Sequence, residues 1–345
     1  MVRPIYVLAL SALVCAPGLA IAQCNDITSK ICAPMDGAPE FDPNPRPGTA
    51  YASPTAAQCS MVSRADNRAI AIQNAFALTL NFSSPVVKDE LCHLKNIILR
   101  NAGRSWGFYE NPKNAKIPTD LSYPGSFIGI LEGDLSHTLK NEEDDLLYPI
   151  LRNTNNPQSL MEHTVTDGSG ANLDNSNSTK LGVLAVLAHE LGHIKWHRDN
   201  IPLSLWCFQD SFVNKSWLQD NSLGQAYRKT WTDFNDRAGN HRHNTPHPHD
   251  NNLNQQRIRS IYDNGSTDGF VSAFAAVSPE EDFVETYKLV VLRSVTDFGF
   301  LITLKFANLG GVAPPPPQDV NVRENTNVVV IGKRACVEKL FPPSH

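Results

Sequence analysis

The 345-residue chain has no long basic run, no Cys-x-x-Cys pair, no internal repeat and no apolar stretch able to cross a bilayer. The first absence, together with a formal net charge of only −5, removes the electrostatic footprint that nucleic-acid binding requires. The second disfavours a zinc site built on cysteine, and the third argues against a repeat array. The fourth excludes a membrane span: the best internal candidate is interrupted by Arg293, Asp297 and Lys305.

What is present is ordinary globular composition, 41% apolar and 19% charged, in a chain long enough for one large or two modest domains. The first residues read MVRPIYVLALSALVCAPGLAIAQC. One arginine, a short apolar run broken by Pro17 and Gly18, and the small-x-small site Ala20-Ile21-Ala22 have the layout of a signal peptide cleaved after Ala22. The expected location is therefore secreted or periplasmic. Neither Cys15 after Val14 nor Cys24 after Gln23 has the small preceding residue that lipidation needs. Loss of residues 1–22 removes Cys15 and leaves Cys24, Cys32, Cys59, Cys92, Cys207 and Cys336. An even number in an exported chain points to disulfides, with fifteen pairings open.

Along the chain, residues 23–60 are rich in proline (PEFDPNPRPG) and lack periodicity, so they read as an extended arm or pro-segment. Apolar spacing predicts helices over 64–80 and 85–100, and FIGILEGDL (127–135) reads as a buried strand turning at Gly133 and Asp134. The strongest helical pattern is 179–197, with Leu184, Leu187, Leu191 and Ile194 at spacings of three and four. Another helix is expected from Ser278-Pro279-Glu280-Glu281 to about Arg293. The residues after Pro314–Pro317 read as one or two strands tied down by Cys336. The histidines at 241, 243, 247 and 249 in HRHNTPHPHD read as part of a solvated loop.

Within the 179–197 helix, His189-Glu190-Leu191-Gly192-His193 is HExxH. Residues i and i+4 share a helix face, so both imidazoles can converge on one ion. A zinc ion there would bring water to a pKa of about 7, and Glu190, one position along, would act as general base. Two histidines and a glutamate inside an apolar helix are costly unless something compensates them. His197 continues the spacing, but in an unbroken helix it lies about 6 Å further along the axis, beyond reach of the same ion. It reads instead as a cation at the helix C-terminus.

The third ligand must come from elsewhere, and VSPEEDFVETY (277–287) supplies the acidic pair Glu281 and Glu285. Together, HELGH and EEDFVE resemble the gluzincin metallopeptidases, in which a glutamate on a downstream helix completes the site. The two segments lie 88 residues apart (281 − 193), and the resemblance covers only them. EEDFVET is similar to the corresponding segment of lethal-factor-type toxins and of bacterial secreted zinc metallopeptidases. LAHELGHI is similar to the active-site helix of the clan's membrane-associated members. The resemblance implies Glu281 as ligand and Glu285 as the carboxylate that orients a ligand histidine. Read as an S-x-x-E capping box, Ser278 to Glu281 leaves Glu285 as the competing ligand. Phe274 stands where lethal-factor-type enzymes carry a tyrosine able to donate to the transition-state oxyanion; Tyr262, Tyr287, Arg293 or a loop histidine are the substitutes on offer.

The expectation is an α+β, zincin-like fold, mainly helical with a small mixed sheet. Its parts are a signal peptide (1–22), an arm (23–60), a catalytic domain (61–313) and a tail (314–345). An edge strand within 127–135 would line the cleft and take an extended peptide. The expected activity is zinc-dependent hydrolysis of a protein or peptide substrate, with His189, His193 and Glu281 on the metal. The alternative is a zincin-like binding or scaffold protein of the cell envelope with weak or no catalysis.

Overall fold

In this computed structural model, residues 24–34, 59–81, 84–101, 105–109, 126–139, 141, 161–167, 176–220, 225–228, 269–272, 274–276, 278–295, 300–306, 318–321 and 327–341 are described. The histidines at 241–249 and Tyr262 lie outside them.

The central element is a mixed five-stranded sheet. It comprises β1 (Ile31–Pro34), β2 (Cys59–Met61), β3 (Asn96–Arg100), β4 (Trp106–Tyr109) and β5 (Ser126–Leu131), in the order β2-β1-β3-β5-β4. β1, β3 and β5 run parallel, while β2 and β4 pair antiparallel at the two ends. The parallel strands are buried on both faces, as strands of this kind require. Ile31, Ile97, Leu99, Ile128 and Ile130 enter the main core, and Cys32, Ile98 and Phe127 form a small cluster on the other face.

Three features differ from the sequence expectation. The helix expected over 85–100 stops early: α2 (Val86–His93) gives way to β3, because the β-branched pair Ile97-Ile98 fits a strand between β1 and β5. The strand in 127–135 is internal rather than an edge, and β4 takes the edge position. Two pieces of the proline-rich arm are strands of the sheet, with Cys32–Cys59 joining β1 to β2.

Helix α1 (Asn67–Leu78) starts at Asp66, whose carboxylate accepts the Arg68 N–H, and it buries Ile72 and Phe76. Two further helices matter for the site: α3 (Ser176–Arg198) and α4 (Pro279–Val295). The tail differs from expectation as well. After the short strand β8 (Gln318–Asn321) it forms helix α5 (Val328–Glu338), where Asn327 accepts the N–H groups of Val329 and Val330. Strand β8 joins β7 (Phe300–Phe306) and β6 (Met161–Asp167) in a second, antiparallel sheet of order β8-β7-β6.

Disulfides link Cys24–Cys92, Cys32–Cys59 and Cys207–Cys336, an arrangement compatible with an extracellular protein. No helix among the described residues is long and apolar enough to cross a membrane.

Candidate metal centre

Helix α3 is held where it is by two glycines. Residues 181–192 are all buried, a consequence of its apolar stripe being flanked by alanine and valine instead of charge. On one side β4 crosses so closely that a Cβ on Gly107 would overlap the Glu190 carbonyl oxygen. On the other, a Cβ on Gly192 would come within 3.1 Å of Val284, so the glycine of HELGH is what lets α4 approach. At the far end of α3, Lys195 and Arg198 both grip Glu90 of α2, at 3.0 Å and at 2.6 and 2.8 Å.

These contacts bring three donors together. His189 Nε2 and His193 Nε2 are 3.2 Å apart, and the Glu281 oxygens sit 3.6 Å from each. All three donor atoms lie within 4.8 Å of one another, forming a group that could hold a metal ion. His197 is not part of it. Ser278 still caps α4: its hydroxyl accepts the Glu281 N–H at 3.0 Å. The Glu281 side chain is nevertheless turned to the imidazoles, and Glu285 is placed elsewhere.

Each ring nitrogen on the far side has its own carboxylate. His189 Nδ1 donates to Glu285 Oε1 at 2.7 Å, and His193 Nδ1 donates to Glu280 Oε1 at 2.7 Å. With each Nδ1 engaged, the two Nε2 atoms are the ring positions that face each other and the Glu281 carboxylate. Donors this close call for a cation between them, a proton or a metal ion. The Glu281 Oε2 atom, buried and without a hydrogen-bond partner, points the same way. This donor set fits a divalent metal ion.

The electrostatics express the same need. Burial by itself pushes His193 down, but Glu281, Glu280 and Glu190 outweigh it and hold its pKa up at about 10. His189 is likewise raised, burial being outweighed by Glu285, Glu281 and Glu190. Burial also pushes up Glu190 and Glu281, and in both it exceeds the pull of the two histidines. Glu285 goes the other way: burial is overcome by Lys288 and His189, and its carboxyl is held down at about 2. Its second oxygen accepts from the Ser272 hydroxyl at 2.7 Å and lies 2.9 Å from Lys288 Nζ.

Glu190 stands beside the donors but is not one of them. Its carboxylate accepts the Gly107 N–H, and Oε2 is buried with no partner. Phe274 also reaches the site, its ring centroid 5.8 Å from that of His189, and it brings no hydroxyl.

No known family model, curated protein or solved structure matches the chain.

Several residues of the site are not singled out by the motif. Glu280 is one; its signal is that the second histidine of HExxH needs an acceptor for Nδ1, and adjacent acidic residues on a helix face different partners. Gly107 is another, since a glycine inside a strand marks a close backbone approach. Asp282 completes the acidic run. It is fully buried, with Oδ2 accepting from Lys333 Nζ at 2.6 Å and Trp217 Nε1 at 3.0 Å. Thus one helical turn sends Glu280 to His193 Nδ1, Glu281 to the two Nε2 atoms and Asp282 to Lys333 and Trp217.

Proposed function

We propose that the protein is a secreted zinc-dependent metalloendopeptidase of gluzincin type, with a zincin-like catalytic fold. The observation that carries this reading is the convergence of His189 Nε2, His193 Nε2 and Glu281 beside a buried glutamate, Glu190, that has an unpartnered oxygen. Ligand atoms of a tetrahedral zinc sit about 3.3 Å apart; the two Nε2 atoms are 3.2 Å apart, and Glu281 places Oε2 3.6 Å from His189 Nε2 and Oε1 3.6 Å from His193 Nε2. Imidazole with carboxylate suits zinc among the common metals. The HELGH and EEDFVE resemblance supports the same assignment, and the three disulfides suit an exported chain.

In this reading His189, His193 and Glu281 would hold the zinc, which when bound would supply Lewis acidity. Glu285 fixes the His189 ring by accepting from its Nδ1. Glu190 takes the proton of the attacking water on its unpartnered oxygen and later passes it to the leaving amine. Burial, by raising its affinity for protons, suits it to both transfers. β4 ends the sheet beside Glu190, where an extended peptide can add as a further strand.

Purified protein should cleave casein or a peptide library, lose that activity to a chelator and regain it with added zinc. Activity that survives complete metal removal would rule out the mechanism.

One observation favours the rival reading, a binding or scaffold protein on the same framework. Phe274 beside His189 cannot donate to an oxyanion, and each lost donor of that kind costs about 10²–10³-fold in rate. Metal content does not separate the two readings; hydrolysis does.

A further inference from the structure

We propose that Glu280 and His197 are a positioning pair for the metal centre, holding the His193 ring through one shared carboxylate oxygen. The inference rests on the metal-centre reading above and assigns a role to two residues outside the donor set. Glu280 Oε1 accepts from His193 Nδ1 at 2.7 Å, and His197 Nε2 lies 3.0 Å from that same oxygen. His197 lies two turns from His189, out of reach of an ion held by His189 and His193. The first turn of α4 crosses α3 at this level, so a single carboxylate spans both rings.

The other ligand shows the same construction. His189 donates to Glu285, and Glu285 is in turn held by Ser272 and Lys288. Each ligand ring thus has a carboxylate, and each carboxylate has a further donor that fixes it. The difference lies in exposure. The Glu285 side chain is fully buried, whereas Glu280 is 29% and His197 58% exposed, so the second pair faces solvent.

Two effects follow. The Nδ1 bond sets the tautomer and plane of His193 and leaves Nε2 as the metal-facing lone pair. His197 also draws Glu280 away from the ion, so that it does not compete with its neighbour Glu281 for coordination. The pattern HxxxHxxxH facing an E-E pair is therefore used in full, although only two of its histidines are placed to bind metal.

The test is a zinc competition titration against a chromophoric chelator, on the purified disulfide-bonded protein and its variants. E280Q should weaken zinc binding by about 10–100-fold, the range for removing a carboxylate behind a ligand histidine. H197A should shift affinity in the same direction by less, and H197Q, whose amide can still donate to Oε1, should recover it. The visible bands of the cobalt(II)-loaded protein should change in E280Q, because the His193 ring keeps an acceptor for Nδ1 but loses the negative charge behind it. Wild-type affinity in E280Q and H197A would overturn the inference. Should E280Q not fold, H197A at its exposed position decides alone. A wild type that takes up no zinc would bring down the metal-centre reading itself, whereas zinc-binding wild type with unaltered variants removes only the positioning pair.

Discussion

Glu190→Gln should retain zinc and lose peptide hydrolysis by about 10²–10⁴-fold, the usual worth of a general base. The two halves of the result have separate causes. Zinc is retained because Glu190 lies outside the triangle of His189, His193 and Glu281. The fold is retained because glutamine is nearly isosteric and its carbonyl can still accept the Gly107 N–H. Hydrolysis is lost because an amide cannot take up a proton at neutral pH, and Glu190 Oε2 is the buried, unpartnered oxygen positioned to do so. Parallel measurement of metal content and casein cleavage separates these effects. A variant that cleaves as fast as wild type would remove Glu190 from the mechanism, and cleavage by neither protein would leave the binding or scaffold reading.

Lys333→Met should destabilise the protein by about 3–5 kcal/mol, the cost of leaving one partner of a buried ion pair alone. Lys333 on α5 is fully buried and spans to Asp282 on α4, with its ammonium also over the Phe270 ring at 4.5 Å. Burial already pushes the Asp282 carboxyl up, and Lys333 and Trp217 are what oppose that shift. Without the lysine the carboxyl must be buried unpaired or take a proton. Asp282 directly follows Glu281, and Cys207–Cys336 fastens α5 three residues beyond Lys333, so the same substitution should also loosen the turn that carries Glu281. The double variant Lys333→Met with Asp282→Leu removes both charges and should recover most of the loss. Urea unfolding of the single and double variants, with disulfides intact, measures this. A single variant as stable as wild type would mean that the pair does not hold α4 in place.

The parts of this arrangement that depend on local periodicity were legible in the sequence. The α3 stripe, the i and i+4 imidazoles and the capped start of α4 each follow from spacing and cap chemistry within a few residues. The rest depends on what lies opposite. KNIILR reads equally well as the end of a helix or as a strand until β1 and β5 are known to flank it. VVVIGKRACV reads as a strand because β-branched residues dominate, yet Asn327 caps it and Cys336 ties it into a helix. FIGIL is internal and WGFY is the edge because of strand order, which no local pattern encodes. Within the site, Glu281 and Glu285 were separable from each other only by resemblance. The tertiary crossing, made possible by Gly192, turns Glu281 toward Nε2 of both rings and Glu285 toward Nδ1 of one. Glu280 stayed hidden because its partner lies on another helix.

The central claim is that two imidazoles and the Glu281 carboxylate close on a single zinc ion. Elemental analysis of the purified protein, followed by a zinc-edge absorption spectrum or anomalous diffraction, tests it most directly. The account predicts about one zinc per chain, bound through two histidine nitrogens and a Glu281 oxygen, and its loss in His189→Ala. Zinc absent from protein purified without chelators and then soaked with the metal, or retained undiminished in His189→Ala, would contradict it.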